Sequence, residues 1–100
     1  MGATSDLTKQ VIEYLSYNHV VWRNNNVRAV RGRTFTGKMG VGDIIGYRKK
    51  DGKALFIEIK TGADKPSTEQ LEFIADARNA GCIAFVAHSF DDMLKEIREY

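Results

Sequence analysis

One hundred residues, 43% hydrophobic and 28% charged with a single proline, describe one domain able to bury a core. That mixture excludes a disordered, collagen-like or low-complexity chain. One cysteine, Cys82, and two histidines, His19 and His88, exclude an internal disulfide framework and a cysteine- or histidine-rich metal centre. Any metal is therefore expected on carboxylate oxygen, which selects hard ions. The longest apolar runs, such as Cys82 to Ala87, fall far short of the roughly 18 residues that span a bilayer. The amino terminus also lacks a signal-like segment, so a cytoplasmic protein with no membrane partner is expected.

The net charge of +2 hides an uneven distribution. Residues 20–60 hold ten bases against three acids, whereas residues 61–100 hold four against eight. A basic half beside an acidic half implies a surface for a polyanion, although a solvated basic face accounts for the same counts.

Ser5 or Asp6 is placed to cap a first helix, in which Leu7, Val11 and Leu15 recur at four-residue spacing and which ends near Asn18 and His19. Val20 to Trp22 reads as a short strand, Val27 to Arg31 as a strand or extended arm, and Arg33 to Gly40 as a loop. Val41 to Arg48 and Lys53 to Lys60 are β-prone segments around Asp51-Gly52. With those two at the centre of the turn, Asp43 lies opposite Lys60, and Asp43, Glu58 and Lys60 share one sheet face. Ser67, with Gln70 three residues on, forms a capping-box pattern opening a helix that Gly81 ends. Ile83 to Ala87 is a continuous apolar strand, and strand–helix–strand predicts a parallel crossover. Ser89 caps a last helix to about Arg98. The class is α/β, in the order α-β-β-β-α-β-α.

Glu58 and Lys60 on an exposed sheet face would need no function. They sit instead in a very apolar strand beside a crossover that covers the sheet, and Asp43 lies in an equally apolar neighbour. Charges there cost several kcal/mol unless they are paired or metal-bound. Two carboxylates on one face can hold a divalent cation, with the Ile59 carbonyl as a further oxygen ligand. Lys60 can then polarise a water for attack on phosphorus. An Asp–Lys ion pair stapling the hairpin explains much of the same pattern.

Gly40-Val41-Gly42-Asp43, then Glu58-Ile59-Lys60, then Ser67-Thr68-Glu69-Gln70 resemble the PD-(D/E)XK nuclease superfamily. Within it, the chain resembles the VRR-NUC (virus-type replication–repair nuclease) family, especially its small stand-alone phage members. The resemblance runs over nearly the whole chain, since Glu13 falls on the first helix where the family carries an acidic residue. It implies a restriction-endonuclease-like core with a central mixed sheet flanked by helices, forming one nuclease domain over residues 1–100.

It further implies that Asp43 and Glu58 bind Mg²⁺ or Mn²⁺ and that Lys60 serves the attacking water. Glu13 would support the metal, and Gln70 would position Lys60 or the substrate, although a capping box alone would account for Gln70. Gly42 departs from the proline that many members carry there. Arg23, Arg28, Arg31, Arg33 and Lys38 are candidate contacts to DNA phosphates. Trp22 and Tyr47 are expected to pack in the core, with base stacking or a dimer interface as the alternatives. The expected activity is that of a structure-specific DNA endonuclease, a homodimer resolving four-way (Holliday) junctions. The alternatives are a flap- or nick-directed or restriction-like nuclease, and a non-catalytic nucleic-acid-binding module.

Overall fold

The computed structural model describes residues 2–24 and 40–100. The elements run α1 (Ala3–Leu15), β1 (His19–Arg23), β2 (Ile44–Arg48), β3 (Ala54–Ile59), α2 (Thr68–Asn79), β4 (Ile83–Ala87) and α3 (Phe90–Ile97), the order read from the sequence. Their strands form one mixed sheet, β1-β2-β3-β4, antiparallel except for the parallel β3–β4 pair. Among the described residues, no helix is long and apolar enough to cross a membrane.

Strand alternation divides the core in two. Ile44, Leu55, Ile57, Ile59, Ile83 and Phe85 pack against Leu7, Val11 and Leu15 of α1 and Met93 of α3. On the other face, Phe56 and Ala84 pack against Phe73, Ile74 and Ala77 of α2, with Cys82 at the margin. Glu58 and Lys60 alternate with residues of the first cluster and so fall on the α2 face.

Several boundaries differ from expectation. The first helix begins at Ala3 behind Gly2, with no side-chain cap, rather than at Ser5 or Asp6, and ends at Leu15. His19 opens β1 instead of closing the helix. The hairpin loop is also longer than a two-residue turn. Arg48 N–H donates to the Lys53 carbonyl at 2.9 Å and Gly52 N–H to the Arg48 carbonyl at 2.7 Å, leaving residues 49–52 as the loop. Ile44 then pairs with Ile57, two residues off the expected register, so the side chains within the ladder keep their faces. Asp43 stands just before the ladder, its N–H on the Ile57 carbonyl.

The two helices after β3 start as read. Ser67 and Gln70 form a complete capping box on α2, and the Ser89 hydroxyl accepts the Asp92 N–H on α3. Gly46, in the middle of β2, permits a close approach of β1: a Cβ there would lie 1.9 Å from the Val20 carbonyl oxygen. The expected arm at Val27 to Arg31 and most of the Arg33–Gly40 loop lie outside the described residues.

Candidate active site

The carboxylates meet where β2 begins and β3 ends. Asp43 N–H donates to the Ile57 carbonyl at 2.9 Å, and the Asp43 carboxylate Oδ2 accepts the Ile59 N–H at 2.7 Å. A strand residue turns its N–H and C=O to the same side, so the Ile59 carbonyl also faces the Asp43 edge. Asn24, just beyond β1, holds this segment from the other flank. Its N–H donates to the Asp43 carbonyl at 2.8 Å and its Nδ2 to the Gly42 carbonyl at 2.9 Å. Nothing in the residue spacing marks Asn24, because its partners are backbone atoms brought close only by the β1–β2 pairing.

Gly42 adopts φ of 110°, a backbone angle closed to proline. Gly40, at φ of 78°, lies so close to α2 that a Cβ would come within 2.5 Å of the Glu69 carbonyl oxygen. Gly40 thus seats the chain before Asp43 against the first turn of α2, which carries Gln70, while Gly42 lies against the β3 backbone at Ile57.

Glu58 is the centre of the cluster and is only 2% exposed. Its Oε2 lies 3.2 Å from the Lys60 ammonium and accepts the Gln70 Nε2 at 2.6 Å. The same Gln70 side chain accepts the Ser67 N–H on its Oε1 at 2.7 Å. Helix cap and site contact are therefore not alternatives: the two ends of one amide make both. Burial first, and then the Asp43 charge, push the Glu58 carboxyl from 4.5 up to about 7, against the opposing pull of Lys60.

The backbone around Lys60 is pinned at three points. Its N–H donates to the Ala87 carbonyl at 3.0 Å, and its carbonyl lies 3.0 Å from His88 Nδ1. The hydroxyl of the next residue, Thr61, meets that of Thr4 at 2.7 Å, joining the start of α1 to the site. Thr4, Ser5, Thr8, Arg23, Asn24 and Asp43 line an open cavity of about 390 Å³.

The donor set fits a hard divalent cation. Two carboxylates on one face, with Glu58 buried and destabilised as an anion by Asp43, form a locus where positive charge is favourable. Among the described residues no group of three or more His, Cys, Asp or Glu side chains assembles. Asp43 and Glu58 are the side chains that would hold such an ion, with the Ile59 carbonyl beside them.

Four of the five sequence-derived catalytic candidates, Asp43, Glu58, Lys60 and Gln70, come together. Glu13 does not. It is exposed and lies nine residues along α1 from Thr4, about 13 Å by helical rise, while it is the opposite end of α1 that reaches the site. Arg23 lines the cavity and donates through Nη2 to the Ser5 carbonyl at 3.0 Å. Arg28, Arg31, Arg33 and Lys38 lie outside the described residues. Trp22 and Tyr47, expected in the core, are 46% and 43% exposed.

Comparison with known proteins agrees with this architecture. A solved structure described as a VRR_NUC domain is similar in fold, with a TM-score of 0.69 at 24% identity over 97% of this chain and 96% of that one. No curated protein matches the chain. The family model for the VRR-NUC domain matches residues 12–91, a span that includes Asp43, Glu58, Lys60 and Gln70. By that match over most of its length the chain belongs to the VRR-NUC family, and it is a nuclease of the DNA-cleaving type.

Proposed function

We propose that residues 1–100 act as one Mg²⁺- or Mn²⁺-dependent endonuclease domain that hydrolyses phosphodiester bonds in branched DNA, working as a homodimer on four-way junctions. The observation that carries the reading is the Asp43–Glu58–Lys60 cluster, with Glu58 buried and its Oε2 held by both Lys60 and Gln70. In this reading Asp43 and Glu58 hold the cation, joined by the Ile59 carbonyl. When bound, the ion supplies Lewis-acid stabilisation of charge developing on the phosphate oxygens.

The chain's own residues do the rest. Gln70 fixes the Glu58 carboxylate by a hydrogen bond anchored in the α2 cap. The Lys60 ammonium, 17% exposed, stands beside Glu58 with solvent access and orients a water toward phosphorus. Arg23 lies on the rim of the cavity, and in this reading it contacts a DNA phosphate. The domain is small, so two copies give a junction both a wider basic surface and two cutting sites.

Cleavage of a labelled panel of junction, flap, nick, duplex and single strand, with and without Mg²⁺, tests the reading. Metal-dependent cutting of the junction by a dimer supports it. Preference for flap or nick replaces the junction assignment with a repair-nuclease one, and binding indifferent to EDTA with no cutting replaces it with a binding module.

A further inference from the structure

We propose that a second groove, at the far end of the sheet from the carboxylates, binds a single strand of DNA; as a contact for part of the substrate it rests on the nuclease reading. The groove, of about 830 Å³, is lined by Tyr14, Tyr17, His19, Lys49, Lys50 and Arg98 among others. It lies where β1 begins and β2 ends, since His19 pairs with Arg48. From Asp43 to Arg48 is five strand steps, about 17 Å.

Charge identifies a phosphate-bearing ligand. Arg48 is neutralised by Asp51, through Nε to Oδ1 at 3.0 Å and Nη2 to Oδ2 at 2.6 Å. Lys49, Lys50 and Arg98 form no ion pair among the described residues, leaving three uncompensated cations on one rim. Lys49 is held in place by the Ser16 and Tyr17 carbonyls at 3.2 and 3.3 Å, with its charge unneutralised.

The aromatic content identifies an unpaired strand rather than a duplex. Tyr17 is 85% exposed beside the cations, and Tyr14, whose ring meets Phe90 edge to face at 5.5 Å, is 48% exposed. Stacking of bases on such rings requires bases that are not already stacked in a duplex. His19 adds a polar wall. It is buried, its Nδ1 lies 3.3 Å from the Leu15 carbonyl, and its Nε2 has no hydrogen-bond partner.

Fluorescence anisotropy in EDTA, with a short labelled oligothymidylate and a duplex of equal length, tests the assignment without cleavage. Lys50→Glu combined with Arg98→Glu is expected to weaken oligothymidylate binding at least tenfold and to lower the salt slope by about 1.4. Tyr17→Ala is expected to weaken oligothymidylate binding about tenfold while leaving the duplex unchanged. No binding by the wild type, or wild-type affinity in the charge-reversed protein with an unaltered circular dichroism spectrum, overturns the site. Equal losses for both probes on Tyr17→Ala overturn the single-strand assignment. Failure of the nuclease reading appears separately, as branched DNA left intact with Mg²⁺ while this binding persists.

Discussion

Gln70 Nε2 donates to Glu58 Oε2 at 2.6 Å while Gln70 Oε1 accepts the Ser67 N–H at 2.7 Å, so one side chain ties the first turn of α2 to the buried carboxylate. The main-chain half of the cap, Ser67 N–H on Gln70 Oε1, holds the amide where its other end reaches Glu58.

That double duty separates two substitutions. Ser67→Ala removes the hydroxyl that accepts the Gln70 N–H and is expected to cost about 1 kcal/mol of stability, with cleavage little changed. Gln70→Ala is expected to cost a similar stability and also to lower cleavage about 10- to 100-fold, because Glu58 loses its orienting donor. Urea unfolding and single-turnover cleavage, measured on both proteins, distinguish the two effects.

Glu58 makes stability depend on pH in a definite direction. Its folded carboxyl titrates near 7, above the ordinary 4.5, so between those values the folded chain holds more protons than the unfolded one. Without metal, stability therefore falls as pH rises through that window. Glu58→Gln abolishes the contribution. Its urea midpoint should be flatter from about pH 4.5 to 7 than that of the wild type, and no lower at the alkaline end, although the variant does not cleave.

His19 works in the opposite sense. Burial, with Arg48 and Lys49 nearby, lowers its pKa below 6.5 against the Leu15 carbonyl, so acidification protonates the unfolded chain first. Stability is lost as pH falls from about 6.5 through the folded value. His19→Gln should remove this acid-side slope, read by comparing thermal midpoints at several pH values.

Gly46 is a packing test with no chemistry attached. Any Cβ there collides with the Val20 carbonyl, so Gly46→Ala must part β1 from β2. A loss of about 1–3 kcal/mol in urea unfolding is expected, with hydrogen exchange increased first in β1.

What was legible in sequence was periodicity and caps. The alternation around Glu58 and the Ser67–Gln70 box specified a covered face and a helix start, and both stand. The pairing of Asp43 was misplaced because an Asp-Gly dipeptide reads as a two-residue turn, whereas residues 49–52 form a longer loop closed by Arg48 and Asp51. An even displacement leaves the faces of the ladder residues unchanged. Glu13 stands apart from the cluster, since an acidic residue on a helix carries no mark of which end of that helix meets the sheet. The contacts of Asn24 and His88 were invisible, since each is made to a main-chain carbonyl across the tertiary fold.

The central claim, that Asp43, Glu58 and Lys60 form one catalytic unit around a divalent cation, is tested most directly by single-turnover cleavage of a labelled four-way junction in Mg²⁺. Wild type should cut and EDTA should stop it, while Asp43→Asn, Glu58→Gln and Lys60→Ala should each lose cleavage with an unchanged circular dichroism spectrum. Full activity in any one of the three, or cleavage that persists in EDTA, would contradict it.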